Sequence, residues 1–175
     1  MSAQFDKLPS RRRPASLRST STTSFTVAYD AAERLQLALY LNVPADAADG
    51  VLRAWASQFI RDSGDTDARQ LLVAMVRFIR ETMHVHRTPF GDHAQTPFDT
   101  LLLQSGTDRD FATLMIEAIR PLGYAARIVT DELNRQRLDA SVSALPAPTT
   151  APDPHAWVQV YLPGQGWIAF DPTHT

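Results

Sequence analysis

An α+β fold, helices packed on an antiparallel sheet, is what this sequence predicts, and three observations predict it. Apolar residues recur at helical spacing in successive blocks between residues 51 and 122. The apolar stretch 125–130 that follows has the length of a buried strand. The last 21 residues, His155 to Thr175, read as two strands joined by the tight turn Pro163-Gly-Gln-Gly166. Antiparallel pairing sets the start of one strand beside the end of the next, so His155 and Asp171 are expected as neighbours. An imidazole held by a carboxylate is the base-and-orienter half of many nucleophilic sites.

Bulk properties narrow the function. The length of 175 residues suits one domain with a real core, and 44% hydrophobic residues are enough to fold most of it. A net charge of -2 gives no general attraction to nucleic acid or to an anionic membrane. The chain has no cysteine, which excludes disulfides, thiolate metal sites and thiol catalysis. The basic N-terminus is not followed by an apolar segment, and the longest apolar run, Leu71–Val76, is far too short to span a bilayer. The expectation is a cytoplasmic protein without nucleic-acid or membrane partners.

In chain order, residues 1–23 are rich in Ser, Thr, Arg and Pro and read as a flexible tail, with Arg11, Arg12 and Arg13 as a solvated charge run. The folded domain is expected over 24–175. Ser24–Tyr29 and Leu35–Val43 alternate apolar and other residues and read as strands, although Ala38 and Tyr40 blur the second pattern. Val51, Leu52, Trp55, Phe59 and Ile60 define a helix, capped by Asp46 or Asp49 and ended by Asp62-Ser-Gly-Asp65. A second helix, capped by Asp65 or Thr66, runs to about Met83 with the stripe Leu71, Leu72, Met75, Val76, Phe78 and Ile79. His84, His86 and His93 follow. The first two share a strand face, but nothing nearby completes a metal site. Thr96 and Pro97 open a short helix as cap and first residue. Gly106 breaks the chain, and a strong helix starts at Asp108, with Phe111, Leu114, Met115, Ala118, Ile119 and Leu122 inward and Gly123 closing it. Residues 131–154 are polar, then proline-rich, and read as a flexible link before the hairpin.

Three stretches carry a resemblance to a known family. They are Asp99-Thr-Leu through Gly106-Thr-Asp108-Arg-Asp110-Phe-Ala112, then Leu114 to Val129, then His155-Ala-Trp157 through Gly166-Trp167-Ile-Ala-Phe170-Asp171-Pro-Thr173. Together they cover most of residues 96–173 and resemble the bacterial transglutaminase-like domain of the papain-like thiol enzymes. The resemblance implies the transglutaminase-like, papain-like form of the α+β fold. It also implies a catalytic triad whose cysteine stands two residues before the Asp-Phe-Ala motif. Here that position is Asp108, so the family's Cys-x-Asp-Phe-Ala reads Asp-x-Asp-Phe-Ala. Family members often continue with further sheet beyond Asp-Pro-Thr, whereas this sequence ends at Thr175.

A helix start beside an imidazolium activates a thiol, and the same field favours a carboxylate. A carboxylate is nevertheless a poor nucleophile toward an amide, because the product is a high-energy anhydride. Ser105 and Thr107 flank the position but are badly placed to substitute for a thiol. Four readings of Asp108, His155 and Asp171 follow. They form a structural relic in which two acids hold His155 as an imidazolium. They bind a peptide or glutamine-like group without turning it over. They hold a divalent metal. Or Asp108 activates a water for acid–base hydrolysis of amides. No other cofactor is implied. The expected function is a catalytically degenerate domain that binds a protein or peptide. Asp110 is expected to cap its helix, Arg127 to pair with an acid, and Trp157 and Trp167 to lie in the hairpin core, with Trp157 also a candidate for lining the site.

Overall fold

The N-terminus of one buried helix points at a three-stranded antiparallel sheet, and the rest of the chain holds that pair in place. The computed structural model describes residues 27–43, 50–60, 67–86, 95–131 and 155–174. The expected tail, the Arg11–Arg13 run, the caps at Asp46, Asp49, Asp65 and Thr66, the helix end at Asp62–Asp65, His93 and the link beyond Asp131 lie outside them.

The elements are α1 (Ala31–Leu41), α2 (Val51–Ser57), α3 (Ala68–Thr82), β1 (His84–Val85), α4 (Pro97–Leu103), β2 (Ser105–Gly106), α5 (Asp108–Ile119), β3 (Ala126–Thr130), β4 (Ala156–Leu162) and β5 (Gly166–Phe170). The sheet order is β3-β4-β5, antiparallel throughout, with Ala126 opposite Val160 and Val158 opposite Phe170. A two-residue parallel ladder joins β1 to β2 and ties the end of α3 to the start of α5.

The helix α5 forms where the sequence places it. Thr107 and Asp110 close a capping box, satisfying N–H groups that the helix itself leaves free. Phe111, Ala112, Leu114, Met115, Ala118 and Ile119 are wholly buried. Each large apolar side chain so buried contributes about 1.5–3 kcal/mol. The helix tightens into a 3-10 turn, Arg120–Leu122, and stops at Gly123, whose φ of 91° suits glycine. The stripe of α3 and the inward residues of β4, namely Ala156, Val158, Val160 and Leu162, belong to the same core as α5. On α3, Leu71, Leu72, Met75, Val76 and Ile79 are buried, and Asp67, one residue past the anticipated positions, supplies the cap.

One expectation at the N-terminal side fails, and the described part of another is not met. Residues 35–43 are not a strand: Ala31–Leu41 is a helix. The alternating leucines satisfied a two-residue period by coincidence, since Leu37 alone is buried while Leu35 and Leu39 are 80% and 83% exposed. The stronger signal was the Asp30–Glu33 capping box followed by good helix formers and no β-branched residue until Val43. Val27–Tyr29, the described part of the other expected strand, belongs to no strand.

This segment covers the outer face of the sheet. The Tyr29 hydroxyl donates to the Tyr161 carbonyl and accepts from the Ala125 amide, both at 3.1 Å. Arg120 donates to the carbonyls of Tyr40 and Ala126, joining α1 to the sheet. Trp167 packs here too, edge-on to Tyr40 and Tyr161. Trp157 and Trp167 are thus not core residues of the hairpin: alternation along β4 and β5 sends the valines, Ile168 and Phe170 inward and the tryptophans to the other face. Among the described residues, Arg127 meets no acid. It donates to Gln159 Oε1 from Nε and Nη2, and its guanidinium lies 4.0 Å from the Trp167 ring centroid.

Candidate functional site

Three loop-to-element junctions meet at one place. Asp108 is the first residue of α5, His155 directly precedes β4, and Asp171 directly follows β5. Each is placed by local chemistry. The Thr107–Asp110 box fixes the start of α5, with Thr107 N donating to Asp110 Oδ2 at 2.9 Å. Asp110 is itself 4% exposed and accepts a further bond from the Gln95 amide, so it caps as expected. Gly106 is needed beside it: a Cβ there would stand 2.9 Å from Asp110 Cβ. Asp131 N donates to the His155 carbonyl, extending the β3–β4 ladder to the site. Asp171 Oδ1 accepts from Thr173 N and His174 N, each at 2.9 Å, and from Thr173 Oγ1 at 3.1 Å. Arg80 Nη2 donates to the Asp171 carbonyl at 2.9 Å.

The three residues singled out in the sequence converge. His155 Nδ1 is 2.6 Å from Asp108 Oδ2, and Nε2 is 2.6 Å from Asp171 Oδ2. Side-chain exposures of 22% for Asp108, 25% for His155 and 27% for Asp171 leave the group accessible from solvent. Ionised carboxylates only accept, so this geometry favours an imidazole that donates from both ring nitrogens, a cation. Burial pulls the His155 pKa down, but the bonds to Asp108 and Asp171 and the attraction of both charges outweigh it and raise it above the ordinary 6.5. Burial pushes Asp171 up, yet the amides of His174 and Thr173 and the bond and charge of His155 bring it below the ordinary 3.8.

Two rings line the group. Trp157 stacks on His155 with centroids 5.6 Å apart and planes 27° apart, so it does border the site. His174, which the sequence reading passed over, sits edge-on to His155 at 4.3 Å. Its Nδ1 is 3.9 Å from Asp108 Oδ2. The signal that could have found it is the Asp-Pro-Thr-His order, since an Asp side chain commonly bonds amides two and three residues on. As for a metal, Asp108, His155 and His174 offer donor atoms within 4.8 Å of one another. Asp171, included in the sequence-based set, instead takes the opposite ring nitrogen and does not share that point. His84 is exposed, and His86 Nε2 meets Gln95 Nε2 at 3.4 Å. Ser105 sits in β2, and Thr107 turns its hydroxyl to Asp110.

Solved structures resemble this arrangement of elements. A candidate cysteine protease from Cytophaga hutchinsonii is 24% identical, with a TM-score of 0.55 over 79% of this chain and 42% of that one. The periplasmic domain of TgpA from Pseudomonas aeruginosa is 22% identical, with a TM-score of 0.56 over 83% of this chain and 48% of that one. The same domain bound to ethylmercury gives 22% and 0.54 over 78% and 48%. The chain thus spans less than half the length of each, and at these identities the likeness speaks to fold. No curated protein matches. The model of the transglutaminase-like superfamily matches residues 53–172, which include α3, α5, the whole sheet, Asp108, His155 and Asp171. By that match, over most of its length, this cysteine-free chain belongs to the transglutaminase-like superfamily.

Proposed function

We propose that this is a catalytically degenerate transglutaminase-like domain that binds a protein or peptide without covalent turnover. The observation that carries the reading is the 2.6 Å contact between His155 Nδ1 and Asp108, at the position where the resemblance puts a thiol. In a thiol enzyme that ring nitrogen serves the nucleophile and returns a proton to the leaving group. Here it is engaged by an acid, and the other nitrogen by Asp171. An imidazole donating from both nitrogens has no lone pair with which to accept a proton. Attack by Asp108 on an amide would require expelling an amine to form an anhydride, a strongly uphill step. The absence of cysteine removes the other route.

The scaffold around the missing chemistry persists. The start of α5 presents amides suited to a carbonyl or carboxylate group, and Trp157 offers a flat apolar face beside His155. An extended peptide would use both. Neither requires turnover.

The test is to assay amide hydrolysis and amine incorporation in the wild type and in Asp108→Cys, with peptide-array binding of both. The expected result is binding by the wild type, no turnover by it, and measurable turnover by the cysteine variant. Wild-type turnover, whether or not a chelator abolishes it, would overturn the reading in favour of a hydrolase working through Asp108, His155 and Asp171.

A further inference from the structure

His174 changes what the site can hold. With His155 Nε2 bonded to Asp171, the proton that a metal ion would replace is the one on Nδ1, directed at Asp108 Oδ2 at 2.6 Å. A metal ion can take the place of that proton and bond to both atoms, since metal binding to such ligands releases protons. His174 closes the third side of the same point, its Nδ1 3.9 Å from that carboxylate oxygen. We propose that Asp108, His155 and His174 form a three-ligand site for a divalent cation of the zinc class, open to solvent at the remaining position.

Four features support it. The donor set of two imidazoles and one carboxylate suits zinc, cobalt or iron(II). The spacing is close: bonds of about 2.0–2.1 Å arranged tetrahedrally put neighbouring donors about 3.3 Å apart. Asp108 and His155 must therefore separate slightly from 2.6 Å, and His174 must approach slightly from 3.9 Å. Asp171 positions both histidines at once. Its Oδ2 holds the far nitrogen of His155, the usual arrangement behind a metal-bound imidazole, and its Oδ1 accepts the backbone amide of His174. The charge balance is also favourable: two carboxylates meet two imidazoles, and the nearby Arg80 is spent on a backbone carbonyl. The cost is one hydrogen bond, that between Thr173 Oγ1 and His174 Nδ1 at 3.0 Å.

The proposal is independent of peptide binding, since the metal is read directly with no peptide or substrate present. The full chain is stripped with a chelator and titrated with cobalt(II), followed by visible absorption and calorimetry. A His84→Ala/His86→Ala background removes the other described histidines. Expected are one cobalt per chain, d–d bands of a four- or five-coordinate ion, and displacement by zinc. His174→Ala, at an exposed side chain, and Asp108→Asn, which keeps the residue's size, each weaken binding more than tenfold while far-UV circular dichroism is unchanged. Asp171→Asn weakens it by about 10–100-fold, as loss of an orienting partner does. Absence of saturable binding overturns the proposal. So does binding whose affinity and spectrum survive both ligand substitutions.

Discussion

Replacing Asp110 by alanine tests how firmly the start of α5, and with it Asp108, is held. The carboxylate accepts three bonds: from Thr107 N at 2.9 Å, Thr107 Oγ1 at 2.9 Å and Gln95 N at 3.1 Å. The threonine hydroxyl can turn elsewhere, but two backbone amides in a part-buried setting lose their acceptor. An amide left in this way costs about 1–3 kcal/mol, and loss of a helix cap about 1 kcal/mol. These overlap, because the Thr107 bond is also part of the cap, so Asp110→Ala is expected to destabilise by about 3 kcal/mol. Asp99 provides the control: it holds the same third position of α4 opposite Thr96, but on an exposed surface. There water replaces what is lost, and Asp99→Ala should cost about 0.5–1 kcal/mol. Urea unfolding with both variants, read at unchanged slope, measures the difference. An Asp110→Ala loss below about 1 kcal/mol, or one no larger than that of Asp99→Ala, would refute the account of how α5 is anchored.

Further outcomes follow from the same geometry. Gly106→Ala drives a methyl to 2.9 Å from Asp110 Cβ and 3.4 Å from Thr100 Cγ2, so a loss of about 1–3 kcal/mol is expected in urea unfolding; an unchanged midpoint would show the strand can yield. In metal-free buffer, the stability difference between wild type and Asp171→Asn should depend on pH. His155 is raised above 6.5, so its contribution is complete below that value and fades as pH rises through its folded-state value. Asp171 is lowered below 3.8, so its contribution is complete above that value and fades as pH falls through its folded-state value. The difference should therefore be largest between pH 3.8 and 6.5 and shrink as the pH rises beyond that window, and growth of the difference on the alkaline side would contradict the charge assignment.

Local signals in the sequence were sufficient for most of the elements that build the site. Thr96-Pro97, Thr107 with Asp110, and Gly123 mark helix ends by side-chain and backbone chemistry that acts within a few residues. The turn before Gly166 brought His155 and Asp171 together for the same reason. What escaped depends on tertiary choice. Four alternating leucines could face either way until the sheet offered Leu37 a place and left Leu35 outside. Arg127 found an aromatic face and an amide because Gln159 and Trp167 lie across neighbouring strands, a pairing visible only once register is set. His174 was hidden by its own position: no periodic pattern covers residues after a strand, and a turn around Asp171 delivers the ring to the site.

The hairpin also bears on the order of assembly. His155 and Asp171 are 16 residues apart and are joined by a ladder that begins at Leu162 and Gly166, so this half of the site belongs to a unit that closes on itself. Hairpins of this kind form in about 1–10 μs, and a helix such as α5 in about 0.1–1 μs. Asp108 is 47 residues from His155, and their contact waits for the helix to dock on the sheet. Docking closes the larger loop and should be the slow step. Asp171→Asn is then expected to slow folding relative to its effect on stability more than Asp108→Asn does, measurable from the two arms of a urea chevron. Equal partitioning for the two would mean that hairpin and helix come together before either is formed.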